Sequence, residues 1–184
     1  TGLLEAFVRA AQQLEQEGVR AITGACGFMA IFQRQVAEAV RIPVFLSSLL
    51  QVPLVRRILA PDRKIGIITA ESRCLQSEHL QAVGITDHDS LVIRGMEASQ
   101  EFSEAVLQEK GTLDSSVIER DLVTLAREMV TETPELGAVV LECSDLPPYA
   151  HAVQRAVNLP VFDFTTLIDF MHSALVRTRF TGHM

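Results

Sequence analysis

Two stretches of this chain are written in nearly the same pattern, and that duplication constrains the fold more than any other feature. Residues 19–45 read VRAITGACGFMAIFQRQVAEAVRIPVF, and residues 136–162 read LGAVVLECSDLPPYAHAVQRAVNLPVF. Cys26 matches Cys143, Ala39-Val40 matches Ala156-Val157, and Pro43-Val44-Phe45 matches Pro160-Val161-Phe162, all at one offset of 117 residues. After one inserted residue, Ser47-Ser48-Leu49 continues beside Thr165-Thr166-Leu167. So many coincidences at one offset mark a duplicated unit of strand, cysteine, helix and strand.

Around the repeat, short β-rich runs alternate with helical patterns, which predicts an α/β fold with parallel strands. Helical spacing from Thr1 to Glu17 ends at Gly18, and strands are expected at 19–23 and 42–46, with a helix from about 48 to 59. Pro61-Asp62-Arg63 breaks the chain, and Lys64–Thr69 (KIGIIT) opens a second half. Helices are expected at about 71–83, 99–107 and 114–131, strands near 91–93, 138–142 and 161–163, and a final helix after them. Pro147 suits the first turn of the helix after Cys143. Residues 1–62, completed by 164–184, form one lobe and residues 63–163 the other. No strand precedes the first helix, so an upstream strand of the first lobe is expected outside this sequence.

Charge narrows the partners. The formal net charge is −7, and no Lys or Arg cluster breaks it, which argues against nucleic acid or an anionic membrane. The most apolar stretch, Ile42 to Val55, is interrupted by Ser47, Ser48, Gln51 and Pro53 and is too mixed to span a bilayer. Three cysteines without a CxxC make neither a disulfide framework nor a zinc ribbon, so a reduced, cytoplasmic protein is expected. The five histidines have no metal spacing; His79 and His88 read as solvent-facing or loop residues and His183 as tail. There are two lysines, and neither Lys64, ahead of a strand, nor Lys110, in a polar stretch, is placed for a Schiff base with pyridoxal phosphate. Any carbanion chemistry is therefore expected to run without a cofactor.

Each repeat sets its cysteine after a strand and before a helix, at the carboxyl edge where parallel sheets bind ligands. Amide N–H groups at such a turn lower a thiol pKa and hold a carboxylate. Two lobes related by pseudo-two-fold symmetry would present one thiol to each face of a bound molecule. That geometry suits stereoinversion: one thiolate takes a proton from carbon, and the opposite thiol returns one. Cys74 has no counterpart in the repeat and reads as structural.

The paired strand–Cys–helix units, with KIGIITA between them, resemble the aspartate/glutamate/hydantoin racemase superfamily over nearly the whole chain. The resemblance implies two flavodoxin-like parallel-sheet lobes, a cleft site, no cofactor and a homodimer or higher homo-oligomer. It assigns Cys26 and Cys143 as the catalytic pair and Thr69 as a hydroxyl at the end of the second lobe's first strand. Amino-acid racemases of the superfamily commonly carry Cys-Asn-Thr and then Cys-Thr-His or Cys-Thr-Glu. Here Cys26-Gly27-Phe28 and Cys143-Ser144-Asp145 stand instead, which disfavours aspartate or glutamate and leaves room at Phe28 for a less polar substrate.

The expectation is a two-cysteine racemase or epimerase of a small carboxylate or hydantoin-like carbon acid. Gly27, Phe28, Ser47, Ser48, Thr69, Ser144 and Asp145 are candidates for substrate binding. Ser47, Ser48, Thr165 and Thr166 serve equally as helix caps, and Asp145 as the cap of the helix at Pro147. Glu142 either tunes the neighbouring thiol or faces the other side of its strand. Rival readings are a maleate isomerase-like enzyme, an arylmalonate decarboxylase-like enzyme and a non-catalytic ligand-binding protein on the same scaffold.

Overall fold

The structure, a computed structural model, describes residues 2–182. Thr1, His183 and Met184 lie outside them, and with them the first residue of the expected N-terminal helix and the reading of His183. The order is α1 (Gly2–Gln16), β1 (Ile22–Thr23), α2 (Gln33–Glu38), β2 (Val44–Phe45), α3 (Val52–Ile58), β3 (Lys64–Thr69), α4 (Ser77–Ala82) and β4 (Leu91–Gly95). Then come α5 (Gln100–Phe102), α6 (Ser115–Glu132), β5 (Leu136–Leu141), α7 (Ala150–Val157), β6 (Val161–Phe162) and α8 (Phe164–Leu175). Two parallel sheets result: β1–β2 in one lobe and β4–β3–β5–β6 in the other.

The second lobe is built on β3 and β5, which read as continuous apolar runs because helices cover both faces. Ile65 and Ile67 of β3 join Ala138 and Val140 of β5 in a core shared with Leu49, Val52, Val55 and Leu80. Ile68, Val139 and Leu141 turn the other way, onto Phe102, Ile118, Leu122 and Met129. Alternation of side chains along a strand produces this split. Every residue of β5 is buried. The first lobe has a smaller core of Ala11, Ile22, Val36, Val40 and Leu46.

Local details depart from the sequence reading where the chain approaches its crevice. The first-lobe strands are two residues long, because ladder pairing runs only over Ile22↔Val44 and Thr23↔Phe45. The helix expected from 48 opens as a 3-10 turn, Ser48–Gln51, and becomes α-helical at Val52 with Pro53 in its first turn. The helix expected at 71–83 is a 3-10 turn, Ser72–Cys74, and then α4, separated where Leu75 and Gln76 adopt extended backbone and Gln76 starts a capping box with His79. Residues 99–107 form one short helical turn and a π turn, Ser103–Leu107. The long α6 is as expected, started by Asp114, whose carboxylate accepts from the amides of Ser116 and Val117. Among the described residues no helix is long and apolar enough to cross a membrane.

Candidate active site

The candidate residues gather where β1, β3 and β5 end. β1 gives way to Gly24-Ala25-Cys26, and a 3-10 helix, Gly27–Phe32, starts at once. Gly24 lies against the exit of β2: a Cβ there would overlap the Leu46 carbonyl. Cys26 has extended backbone and an exposed side chain. Partial burial raises its thiol above the usual value; the amides of Phe28 and Met29 pull it back, and the charges of Glu142 and Asp145 push it up again.

On the other side, the last β3–β5 pair is Ile68↔Leu141, so Thr69 and Glu142 sit side by side at the sheet's edge. The Glu142 amide donates to the Ile68 carbonyl at 2.8 Å, and the Glu142 side chain turns back to β3, where Thr69 Oγ1 donates to Oε2 at 2.7 Å. Glu142 is 0% exposed, and its Oε1 has no hydrogen-bond partner. Burial pushes this carboxyl up to about 7, against the opposing pull of the Thr69 hydroxyl. The sequence reading left two orientations open for Glu142; it faces inward.

Cys143 follows and is 8% exposed. Burial pushes its thiol up to about 12; the Asp145 amide lowers it, while the Asp145 and Glu142 carboxyls and its own bond to Asp145 raise it. Its Sγ donates to Asp145 Oδ2 at 3.6 Å. Asp145 is therefore the partner of a thiol and not a helix cap: the turn Pro147–Tyr149 begins after Leu146 with no side-chain cap at all.

Two contacts tie the cysteine segments together. Ser144 Oγ donates to the Ala25 carbonyl at 2.6 Å. Gly27 lies against Glu142, so closely that a Cβ on Gly27 would overlap the Glu142 carboxyl and approach its carbonyl oxygen to 2.6 Å. At the repeat's offset of 117, Ala25 corresponds to Glu142 and Gly27 to Ser144. The contacts Ala25–Ser144 and Glu142–Gly27 are thus each other's counterparts, as contacts across a two-fold axis must be. Cys26 and Cys143 occupy the middle position of the two interlocked triplets, and both thiols feel the same two carboxyls, Glu142 and Asp145.

The remaining candidates are distributed around this seam. Ser48 is fully buried and donates to the carbonyls of Leu141 and Glu142 at 3.1 and 3.3 Å, holding the end of β5. Ser47, also fully buried, accepts from the Leu49 amide at 3.2 Å and caps the 3-10 turn. Thr165 and Thr166 close the cap of α8 on Asp163, and Thr166 also donates to Gln51 Oε1 at 2.9 Å. Phe28 is half-buried and meets His79 edge-on, with ring centroids 5.5 Å apart. His79 is consequently packed on the 3-10 helix after Cys26, where sequence reading put it in solvent or in a loop; its Nδ1 accepts from the Gln76 amide. Cys74 is exposed on its 3-10 turn. An apolar groove of about 530 Å³, lined by Gly24, Ala25, Ser144, Pro147, Phe164 and Ile168, runs beside the seam; neither cysteine lines it. Among the described residues no three His, Cys, Asp or Glu side chains gather as a metal site.

The sequence profile of the Asp/Glu/Hydantoin racemase family matches residues 3–168. Dimethylsulfoniopropionate lyase 5 of Emiliania huxleyi (strain CCMP1516) is 33% identical over 177 residues, covering 92% of this chain and 35% of that protein. The chain spans about a third to a half of the length of the first curated relatives it matches. In structure it is similar to a glycine-to-cysteine mutant of arylmalonate decarboxylase in its sulfate-associated form, at TM-score 0.65 and 18% identity over 98% of this chain and 78% of that one. Allantoin racemase from Pseudomonas fluorescens aligns at TM-score 0.61 and 16% identity over 85% of this chain and 62% of that one. The chain belongs to the Asp/Glu/hydantoin racemase family.

Proposed function

We propose that this chain carries the carbon-acid site of a cofactor-independent lyase, which removes a proton beside a carboxylate and expels a leaving group from the next carbon. The observation that carries the reading is the inequality of the thiols: Cys26 is exposed, whereas Cys143 is enclosed and pushed up to about 12. A two-base racemase exchanges the roles of its thiols in the two directions and is best served by a matched pair. An elimination needs one base. The names of the curated relatives, dimethylsulfoniopropionate lyases, supply the substrate to try first.

In that reaction the Cys26 thiolate takes a proton from the carbon next to the carboxylate. The C–H electron pair becomes the new C=C bond, the C–S bond breaks, and its pair leaves with neutral dimethyl sulfide; acrylate remains. The departing sulfide needs no proton, so no second acid is required. Cys143 stays protonated throughout; with substrate bound its S–H turns from Asp145 to the substrate and donates toward the charge that develops on the carboxylate, together with amides of the Cys26 turn. Cys26 then returns its proton to water.

Two-cysteine racemisation of a carboxylate or hydantoin-like acid is the second reading, favoured by the reciprocal seam that flanks both cysteines. One experiment separates the two. Purified protein is given dimethylsulfoniopropionate and, separately, single enantiomers of allantoin and α-substituted carboxylic acids in heavy water. Release of dimethyl sulfide with equal acrylate, without inversion of the chiral acids, is expected. Inversion or deuterium exchange with no sulfide released would replace elimination by racemisation.

A further inference from the structure

Glu142 spends stability in a way that neither the fold nor the elimination step explains. Its carboxyl is wholly enclosed, one oxygen accepts a single hydroxyl, and the other has no partner. Among the described residues no lysine, arginine or histidine pairs with it. An enclosed carboxylate without a counter-ion is unfavourable, and an amide or apolar side chain of the same shape would fill the space better. Yet the chain around it is shaped to accept it. Gly27 lacks a side chain where the carboxyl lies, and its φ is not in the left-handed region, so the requirement there is space.

The groups facing this carboxyl come from three directions. β3 offers the Thr69 hydroxyl. The turn after β1 offers Gly27 and the Cys26 thiol, and the turn after β5 offers the Cys143 thiol. Ser48 contributes only to the Glu142 backbone carbonyl. The ionisable neighbours are thus two thiols, and neither stabilises a negative Glu142.

We propose that Glu142 is a positioning residue of the thiol pair: enclosed as a neutral acid between the Cys26 and Cys143 segments, it loses its proton before either thiol does, and its negative charge then keeps both thiols protonated. Its charge state sets the pH range in which Cys26 serves as the base. The inference rests on the reading of Cys26 as that base only for its consequence in turnover; the coupling itself belongs to the resting protein. With Glu142 neutral, Cys26 ionises against the charge of Asp145 alone. With Glu142 ionised, the thiolate forms beside two negative groups, and a higher pH is needed.

The test is the rate at which iodoacetamide modifies Cys26, followed by peptide mass spectrometry from pH 5.5 to 9.5 without substrate. Glu142→Gln keeps the shape and removes the charge. The wild-type and Glu142→Gln rates are expected to coincide below about pH 6 and diverge above about pH 7, with the variant about threefold or more faster at pH 8. Thr69→Val, which removes the one hydrogen bond favouring the charged carboxyl, is expected to move the point of divergence to higher pH. A constant ratio across the whole range, or identical curves, would reduce Glu142 to a packing residue. Because the readout is a thiol and not turnover, this outcome is independent of whether dimethyl sulfide is released in the elimination assay.

Discussion

The segments around Cys26 and Cys143 share a sequence pattern and an interlocking seam, but the sheets that carry them are unequal. β5 is six residues long, buried throughout, and flanked by β3 on one side and β6 on the other. β1 is two residues long and pairs with β2 alone. A cysteine at the exit of the first is enclosed; a cysteine at the exit of the second faces solvent. The same motif therefore yields an enclosed thiol, pushed up to about 12, and an exposed one that is raised by partial burial. Thiol reactivity follows from what surrounds the strand, not from the motif that ends it.

The sharpest break of this comparison is to remove each thiol in turn. Cys26→Ala is expected to lower dimethyl sulfide release by about 10³-fold or more, the scale of losing the base. Cys143→Ala is expected to lower it by about 10²-fold, the scale of losing one donor to a developing anion. Equal losses, measured as kcat/KM by headspace chromatography, would restore the matched pair that racemisation requires.

Stability offers the next handle, through Glu142. Free in an unfolded chain this carboxyl titrates near 4.5, and folded near 7, so between those values the folded protein holds the extra proton. The contribution of this group to stability is thus greatest below about pH 4.5, falls as pH rises through the interval, and levels off above about 7. Glu142→Gln removes that loss. In urea titrations it is expected to be more stable than the wild type by on the order of 2–3 kcal/mol at pH 8, with the difference vanishing near pH 4.

The seam can be loosened at either of its counterparts. Gly27→Ala places a methyl group on the Glu142 carboxyl and is expected to destabilise by about 1–3 kcal/mol, the range for overfilling a packed site. Ser144→Ala removes the hydroxyl that bonds the Ala25 carbonyl and is expected to cost about 1 kcal/mol by the same urea assay. A Ser144→Ala effect larger than that of Gly27→Ala would mean that the seam is held by its hydrogen bond more than by the fit of the buried carboxyl.

Much of this was legible in the chain itself. The offset of 117 residues fixed which segments correspond, and the apolar runs KIGIIT and LGAVVL, lacking alternation, marked strands covered on both faces. The two cysteines stand where the repeat put them. What the sequence hid is what depends on neighbours distant in the chain. Nothing in the order Glu142-Cys143 says that the carboxylate turns toward Thr69, 73 positions earlier, since side chains at the end of a strand obey its last pairings. The signal was present but easily missed: Gly27 breaks the repeat where Ser144 keeps a side chain, and at Gly27 the Glu142 carboxyl takes the space of the missing Cβ. His79 was misread because polarity was taken for exposure, whereas an imidazole can lay its ring edge against Phe28 and keep a nitrogen for the Gln76 amide.

The inequality of the two thiols can be measured within a single folded sample. At pH 8, limiting iodoacetamide followed by peptide mass spectrometry gives the modification rates of Cys26 and Cys143 side by side. Cys26 is expected to react about 100-fold or more faster, because Cys143 is both shielded and pushed up to about 12. Comparable rates, or faster modification of Cys143, would contradict the assignment of Cys26 as base and Cys143 as neutral partner.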